Sequence, residues 1–126
     1  MSKQRINTEN APAAIGPYSQ GIVTGNLLFT SGQLPIDPAT GKISTGTIDE
    51  QAHIVFRNLQ AIAGAAGTNL NNAVKVTVFL ADIKNFQAVN TVYAEYFKEP
   101  FPARSAFQVA ALPLGADVEI EAIFEL

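Results

Sequence analysis

The segment FPARSAFQVAALPLGADVEIEAI, Phe101 to Ile123, holds the residue types best suited to chemistry. Arg104 opens one apolar stretch, and Glu119 and Glu121 alternate with apolar residues in the next. The planar fork of an arginine grips a carboxylate through two parallel hydrogen bonds. A charge-assisted bond of that kind contributes about 1.5–3 kcal/mol, enough to orient a small acid.

Side chains alternate across a strand, so spacing assigns faces. Ser105, Phe107 and Val109 share one face of the first stretch, and Arg104, Ala106 and Gln108 the other. In the second, Val118, Ile120, Ala122 and Phe124 oppose Glu119, Glu121 and Ile123. With the apolar faces against helices, Arg104 and both glutamates are expected together on the far side of the sheet. Two readings stay open for that side. It could be solvated, where an Arg–Glu pair contributes about 0–1 kcal/mol. It could instead be partly covered by another subunit, as Ala106 and Ile123 suggest, and an arginine in such a cleft needs an anion.

The elements that must carry these residues can be read along the chain. Ala11 to Gly21, APAAIGPYSQG, is a loop set by proline and glycine. IVTGNLLFTSG predicts a hairpin, with Gly25-Asn26 as a type II′ turn. Thr47 and Glu50 have capping-box spacing, and Ile48, Ala52, Val55, Phe56, Leu59, Ile62, Ala63 and Ala66 form a helical stripe that Gly67 ends. Ala73 to Leu80 is rich in β-branched residues and predicts a strand. Asp82 can cap a second helix with a stripe of Phe86, Val89, Tyr93, Tyr96 and Phe97, ended near Pro100 and Pro102. Two strands, near Arg104–Ala110 and Asp117–Phe124, complete the order ββ, α, β, α, ββ. Two helices for one sheet predict an α+β sandwich of two layers, with both helices on one face.

Composition bounds the rest. A length of 126 residues points to one domain, 1–126. Charged residues are only 15% of the chain against 48% apolar, so some apolar surface is expected to lie against other subunits. The net charge of -3, with eight scattered Lys and Arg, offers no patch for phosphate backbones. Cysteine is absent, which removes disulfides, thiolate metal sites and cysteine nucleophiles. MSKQRINTEN has no apolar core, so no signal peptide is expected, and no run nears the roughly 20 apolar residues of a membrane span. The expected location is cytoplasmic, with no membrane or nucleic-acid partner.

FPARSAFQVAALP with VEIEAI resembles the C-terminal signature of the YjgF/RidA family, the reactive intermediate deaminases. NAPAAIGPYSQG, TSGQLPIDPATG and VNTVYAEYF resemble further family segments in family order, so the resemblance spans essentially the whole chain. It implies a chorismate-mutase-like fold and a homotrimer, with sheets around the threefold axis and a cleft at each subunit interface. It implies hydrolysis of 2-enamino and 2-imino acids, such as 2-aminoacrylate and 2-iminobutanoate, to 2-keto acids and ammonia, with no metal or organic cofactor. Carried over by position, Arg104 would bind the carboxylate and Glu119 would hold the reactive water. Tyr18 of GPY and Ser31 of TSG would position substrate or donate hydrogen bonds. Gly32 would offer backbone contacts, and Asn90 of VNTVY would lie near the cleft. Many relatives carry a cysteine where this chain has Ala106, so any role of that thiol is absent here.

Each residue also has a plainer reading. Arg104 and Glu119 could be an interface ion pair, Tyr18 a packing aromatic, Ser31 a turn residue, and Asn90 the edge of the helical stripe. Glu121 is expected to be structural and His53 solvated. For the whole molecule, a non-catalytic module that binds or senses 2-keto acids is the rival. Ribonuclease activity, attached to some relatives, is disfavoured by the acidic charge.

Overall fold

Alternating apolar residues and a capped amphipathic helix require a sheet with one covered face, and that is what forms. In the computed structural model, which describes residues 2–126, the strands are β1 (Gln4–Ile6), β2 (Gly21–Thr24), β3 (Leu27–Thr30), β4 (Ala73–Leu80), β5 (Ala103–Gln108) and β6 (Val118–Glu125). They make one sheet in the order β1-β2-β3-β6-β4-β5. All neighbours are antiparallel except β4 and β5, which run parallel. Helix α1 (Ile48–Ala65) leads from β3 towards β4, and α2 (Phe86–Tyr96) connects β4 to β5.

The local signals act as expected. Thr47 Oγ1 accepts from the Glu50 N–H at 3.3 Å, and Gly67 ends α1 with a φ of 83°. Gly25, at φ 59°, closes the β2–β3 hairpin, and only this first turn residue is left-handed, as a type II′ turn needs. Asp82 differs from the expectation: it accepts from the Lys84 N–H at 2.9 Å and caps a short 3₁₀ turn, Ile83–Asn85, whereas the N-cap of α2 itself is Asn85.

Both helices cover the same sheet face, which completes the expected two-layer α+β sandwich. Val55, Phe56, Leu59 and Ile62 of α1 are fully buried against Val76 and Leu80 of β4 and Val118, Ile120 and Phe124 of β6. Phe56 joins the helices, its ring centroid 5.9 Å from that of Tyr93, 4.9 Å from Tyr96 and 5.8 Å from Phe97. His53 is only half-buried, yet it is not the free solvated side chain expected: its Nδ1 lies 2.8 Å from the Tyr96 hydroxyl, bridging the helices.

Two expectations are corrected. The N-terminal arm contains β1, which pairs with β2 from Gln4↔Val23 to Ile6↔Gly21. Its polar QRI has no strand pattern; partner pairing and burial of Ile6 make it a strand.

The second correction concerns β5. Its register sets Arg104 beside Val76, which in turn pairs with Ala122 of β6. Val76 and Ala122 face the helices, so Arg104 faces them too. Glu119 pairs with Phe79, and Phe79 with Phe107, all on the open face. Arg104 and the glutamates therefore lie on opposite sides of the sheet. The apolar Phe107 does not mark the helix side: it is 43% exposed and packs edge-on against Phe79 at 5.3 Å. At the sheet rim the helix layer runs out, so β5 can carry an arginine on that side.

Candidate functional site

The polar residues gather in two groups. The first surrounds Arg104 on the rim strand β5. Phe86, Asn90 and Tyr93 recur at i, i+4 and i+7 on α2, which puts them on one face of that helix. Arg104 Nη1 donates to Asn90 Oδ1 at 2.6 Å. Its guanidinium carbon lies 4.7 Å from the Tyr93 ring centroid and 5.2 Å from that of Phe86. The arginine remains exposed and stands between two open clefts. One, of about 370 Å³, is lined by Asn90, Tyr93, Ala94, Phe101, Pro102 and Arg104. The other is lined by Lys84, Phe86, Gln87 and Ala106 beside Arg104. Burial raises the Tyr93 hydroxyl above the ordinary tyrosine range, with Arg104 opposing, so a neutral ring faces the cation.

The second group lies at the end of β3 and on the open face of β6. Glu119 is half-buried there. Loss of water, and then the charge of Glu121, hold its carboxyl above the ordinary glutamate range. Gly32 makes room for it: a Cβ on Gly32 would fall 2.2 Å from Glu119 Oε2. Tyr18 and Gly32 line one further cleft, of about 280 Å³, together with Leu34 and Leu114. Tyr18 is 52% exposed and is not a core aromatic.

The loop carrying Tyr18 is tied down from below. Ser31 Oγ donates to the Ser19 carbonyl at 2.5 Å, and the Ser31 N–H to the Gln20 carbonyl at 2.9 Å. Gln20 is buried; its Oε1 accepts from the Thr8 N–H at 2.7 Å, and its Nε2 donates to the carbonyls of Thr8, Ala11 and Pro12. Sequence reading missed Gln20, because a glutamine in a loop carries no pattern that marks burial. The Ser31 hydroxyl, expected to position substrate or donate a hydrogen bond, donates here to the Ser19 carbonyl.

The fold thus brings Tyr18, Ser31, Gly32 and Glu119 together, and separately Arg104 with Asn90. Strand β4 and the thickness of the sheet stand between the two groups in one chain. Among the described residues no cluster of His, Asp or Glu suits a metal ion. No helix among them is long and apolar enough to cross a membrane.

Residues 8–126 match the family described as Endoribonuclease L-PSP. The chain is 55% identical over 121 residues to the RutC family protein y4sK of Sinorhizobium fredii, covering 96% of each. It is 53% identical over 123 residues to the 2-iminobutanoate/2-iminopropanoate deaminase of Capra hircus, covering 98% of this chain and 90% of that protein. The crystal structure of RidA from an Antarctic Psychrobacter is similar, with a TM-score of 0.94 and 48% identity over 98% of this chain and 99% of that one. With a full-length fold match and relatives at about half identity, the chain belongs to the Endoribonuclease L-PSP family, the YjgF/RidA group that its C-terminal motif resembles.

Proposed function

We propose that this chain is an imine deaminase, hydrolysing 2-imino acids and their 2-enamino tautomers to 2-keto acids and ammonia at a site shared by neighbouring protomers of a homotrimer. The observation that supports it most is the division of the site. Arg104 borders one open cleft and Glu119 lies against Gly32, which lines another with Tyr18, yet the sheet holds the two charges apart within one chain. A cyclic assembly joins such halves, Arg104 from one protomer with Tyr18, Gly32 and Glu119 from the next. The exposed apolar residues of the open face, Phe29 and Phe107, then lie against neighbours. The substrate class comes from relatives named 2-iminobutanoate/2-iminopropanoate deaminase, at 53% identity in goat and 48% in human.

In this reading Arg104 takes the substrate carboxylate and fixes C2 of the imine. Glu119 accepts a proton from water as its oxygen bonds to C2 and the C=N electron pair moves to nitrogen. Glu119 returns that proton to nitrogen, giving a carbinolamine; it then takes the hydroxyl proton and passes it to the amine nitrogen, so that C–N breaks, ammonia leaves with the bonding pair and the C–O bond becomes the keto C=O. Water and proton transfers are all that the hydrolysis consumes. A carboxyl held above its usual range is better matched to that shuttle near neutral pH than an ordinary glutamate. Tyr18 and the Gly32 N–H face the substrate from the Glu119 side. Ser31 acts by holding the Tyr18 loop, since its proton is committed to Ser19.

The test is keto-acid formation from 2-aminoacrylate or 2-iminobutanoate released in situ by a dehydratase. Wild type should exceed the spontaneous rate. Arg104→Ala should lose both turnover and binding of 2-oxobutanoate, and Glu119→Gln should keep binding while turnover falls about a hundredfold or more. Wild-type binding of 2-oxobutanoate without any rate above background would instead favour a keto-acid sensor.

A further inference from the structure

An arginine on a rim strand has four flexible side-chain bonds, and about 2 kcal/mol of rotamer freedom opposes holding it in one pose. Arg104 nevertheless has a defined seat. Phe86, Asn90 and Tyr93, on one face of α2, meet it with two rings and one carboxamide oxygen. Its Nη1 is engaged by Asn90 at 2.6 Å and the Tyr93 hydroxyl lies near enough to interact with it, while no carboxylate or backbone carbonyl among the described residues accepts from Nε or Nη2. None of the described carboxylates pairs with it either.

The chemistry of the seat explains this choice of partners. A carboxylate would hold the cation firmly but neutralise it and compete with any incoming acid. Ring faces attract a cation through their quadrupole and leave its charge intact. An amide oxygen does the same through one hydrogen bond. We infer that Phe86, Tyr93 and Asn90 are positioning residues that aim the Arg104 fork, leaving its Nε and Nη2 edge as two parallel donors for a substrate carboxylate. Asn90 thereby acts through Arg104 and not on the substrate. The inference rests on Arg104 being the carboxylate clamp.

Phe86 and Asn90 are the residues to change, since Tyr93 also packs against Phe56 and Phe97 in the core. Binding of 2-oxobutanoate to the full chain is measured by calorimetry, which needs no turnover, and KM and kcat are measured with 2-iminobutanoate. Phe86→Leu should raise Kd and KM about tenfold with kcat within about twofold, and Phe86→Tyr should restore both. Asn90→Asp is nearly isosteric and would pair with Arg104; it should raise Kd by about tenfold or more at unchanged melting temperature. A merely structural Asn90 would tolerate that change. The bracket is overturned if wild type binds, Arg104→Ala does not, and Phe86→Leu and Asn90→Asp bind within about twofold of wild type. If wild type itself fails to bind 2-oxobutanoate, the clamp falls and the bracket with it.

Discussion

Glu119 and Glu121 sit on the same face of β6, two residues apart, and the charge of Glu121 resists the ionisation of Glu119. For Glu119, burial is the larger cause of its raised range and Glu121 the second. If Glu119 is the proton acceptor, the acid limb of the kcat/KM profile reports it and lies above the ordinary glutamate value of about 4.3. Glu121→Gln should move that limb to lower pH; an unmoved limb would mean that another group titrates. The same shift has a stability consequence. A carboxyl with a raised folded-state range binds its proton more tightly folded than unfolded. Stability then falls as pH rises from the unfolded towards the folded range. Glu119→Gln should therefore melt at a higher temperature than wild type at pH 7. Gly32 tests the geometry. In Gly32→Ala the new methyl meets the Glu119 carboxylate at 2.2 Å, a flexible end that can swing away. With Glu119 as the proton acceptor, the expected result is a folded protein whose kcat falls about tenfold or more, the order that a misplaced reacting group costs.

At the scale of elements, legibility followed local signals. Thr47 and Gly67 bound α1 as their types require, and Gly25 turns the hairpin, because caps and turns are decided within a few residues. The side on which β5 presents its residues was not legible. Phe107 and Val109 suggested a core face, but parity is fixed by pairing with β4, and the open face is itself apolar. Strand β1 was invisible for a related reason: at three residues it exists by pairing alone. Of the site, Arg104 and Glu119 stood out as charges on apolar strands, whereas Phe86 and Tyr93 read as ordinary members of a helical stripe. Phe56 is where the two helices depend on each other, touching three aromatic rings of the Tyr93–Phe97 segment. Phe56→Ala should cost about 3–5 kcal/mol of unfolding free energy, measured by denaturant titration. Because α2 carries the Arg104 seat, that variant should lose affinity for 2-oxobutanoate as well as stability.

For the whole molecule, scarcity of charge and an apolar open face point the same way. Phe29, Phe79, Phe107 and Ile123 share the side of the sheet away from the helices, and only scattered charges accompany them. The net charge of -3 remains a poor match for a polynucleotide, whatever the family's descriptive name.

If neighbouring protomers of a trimer share the site as proposed, the placement of Arg104 and Glu119 across the thickness of one sheet makes defective copies able to repair each other. In that arrangement neither Arg104→Ala nor Glu119→Gln chains alone would furnish a complete site. In a cyclic trimer containing both kinds, one junction always joins an intact arginine to an intact glutamate. Denaturing the two inactive proteins together in equal amounts and refolding them should revive about one quarter of the wild-type rate. Simple blending of the folded proteins should revive nothing until protomers exchange, so the recovery curve would also time how often the ring opens.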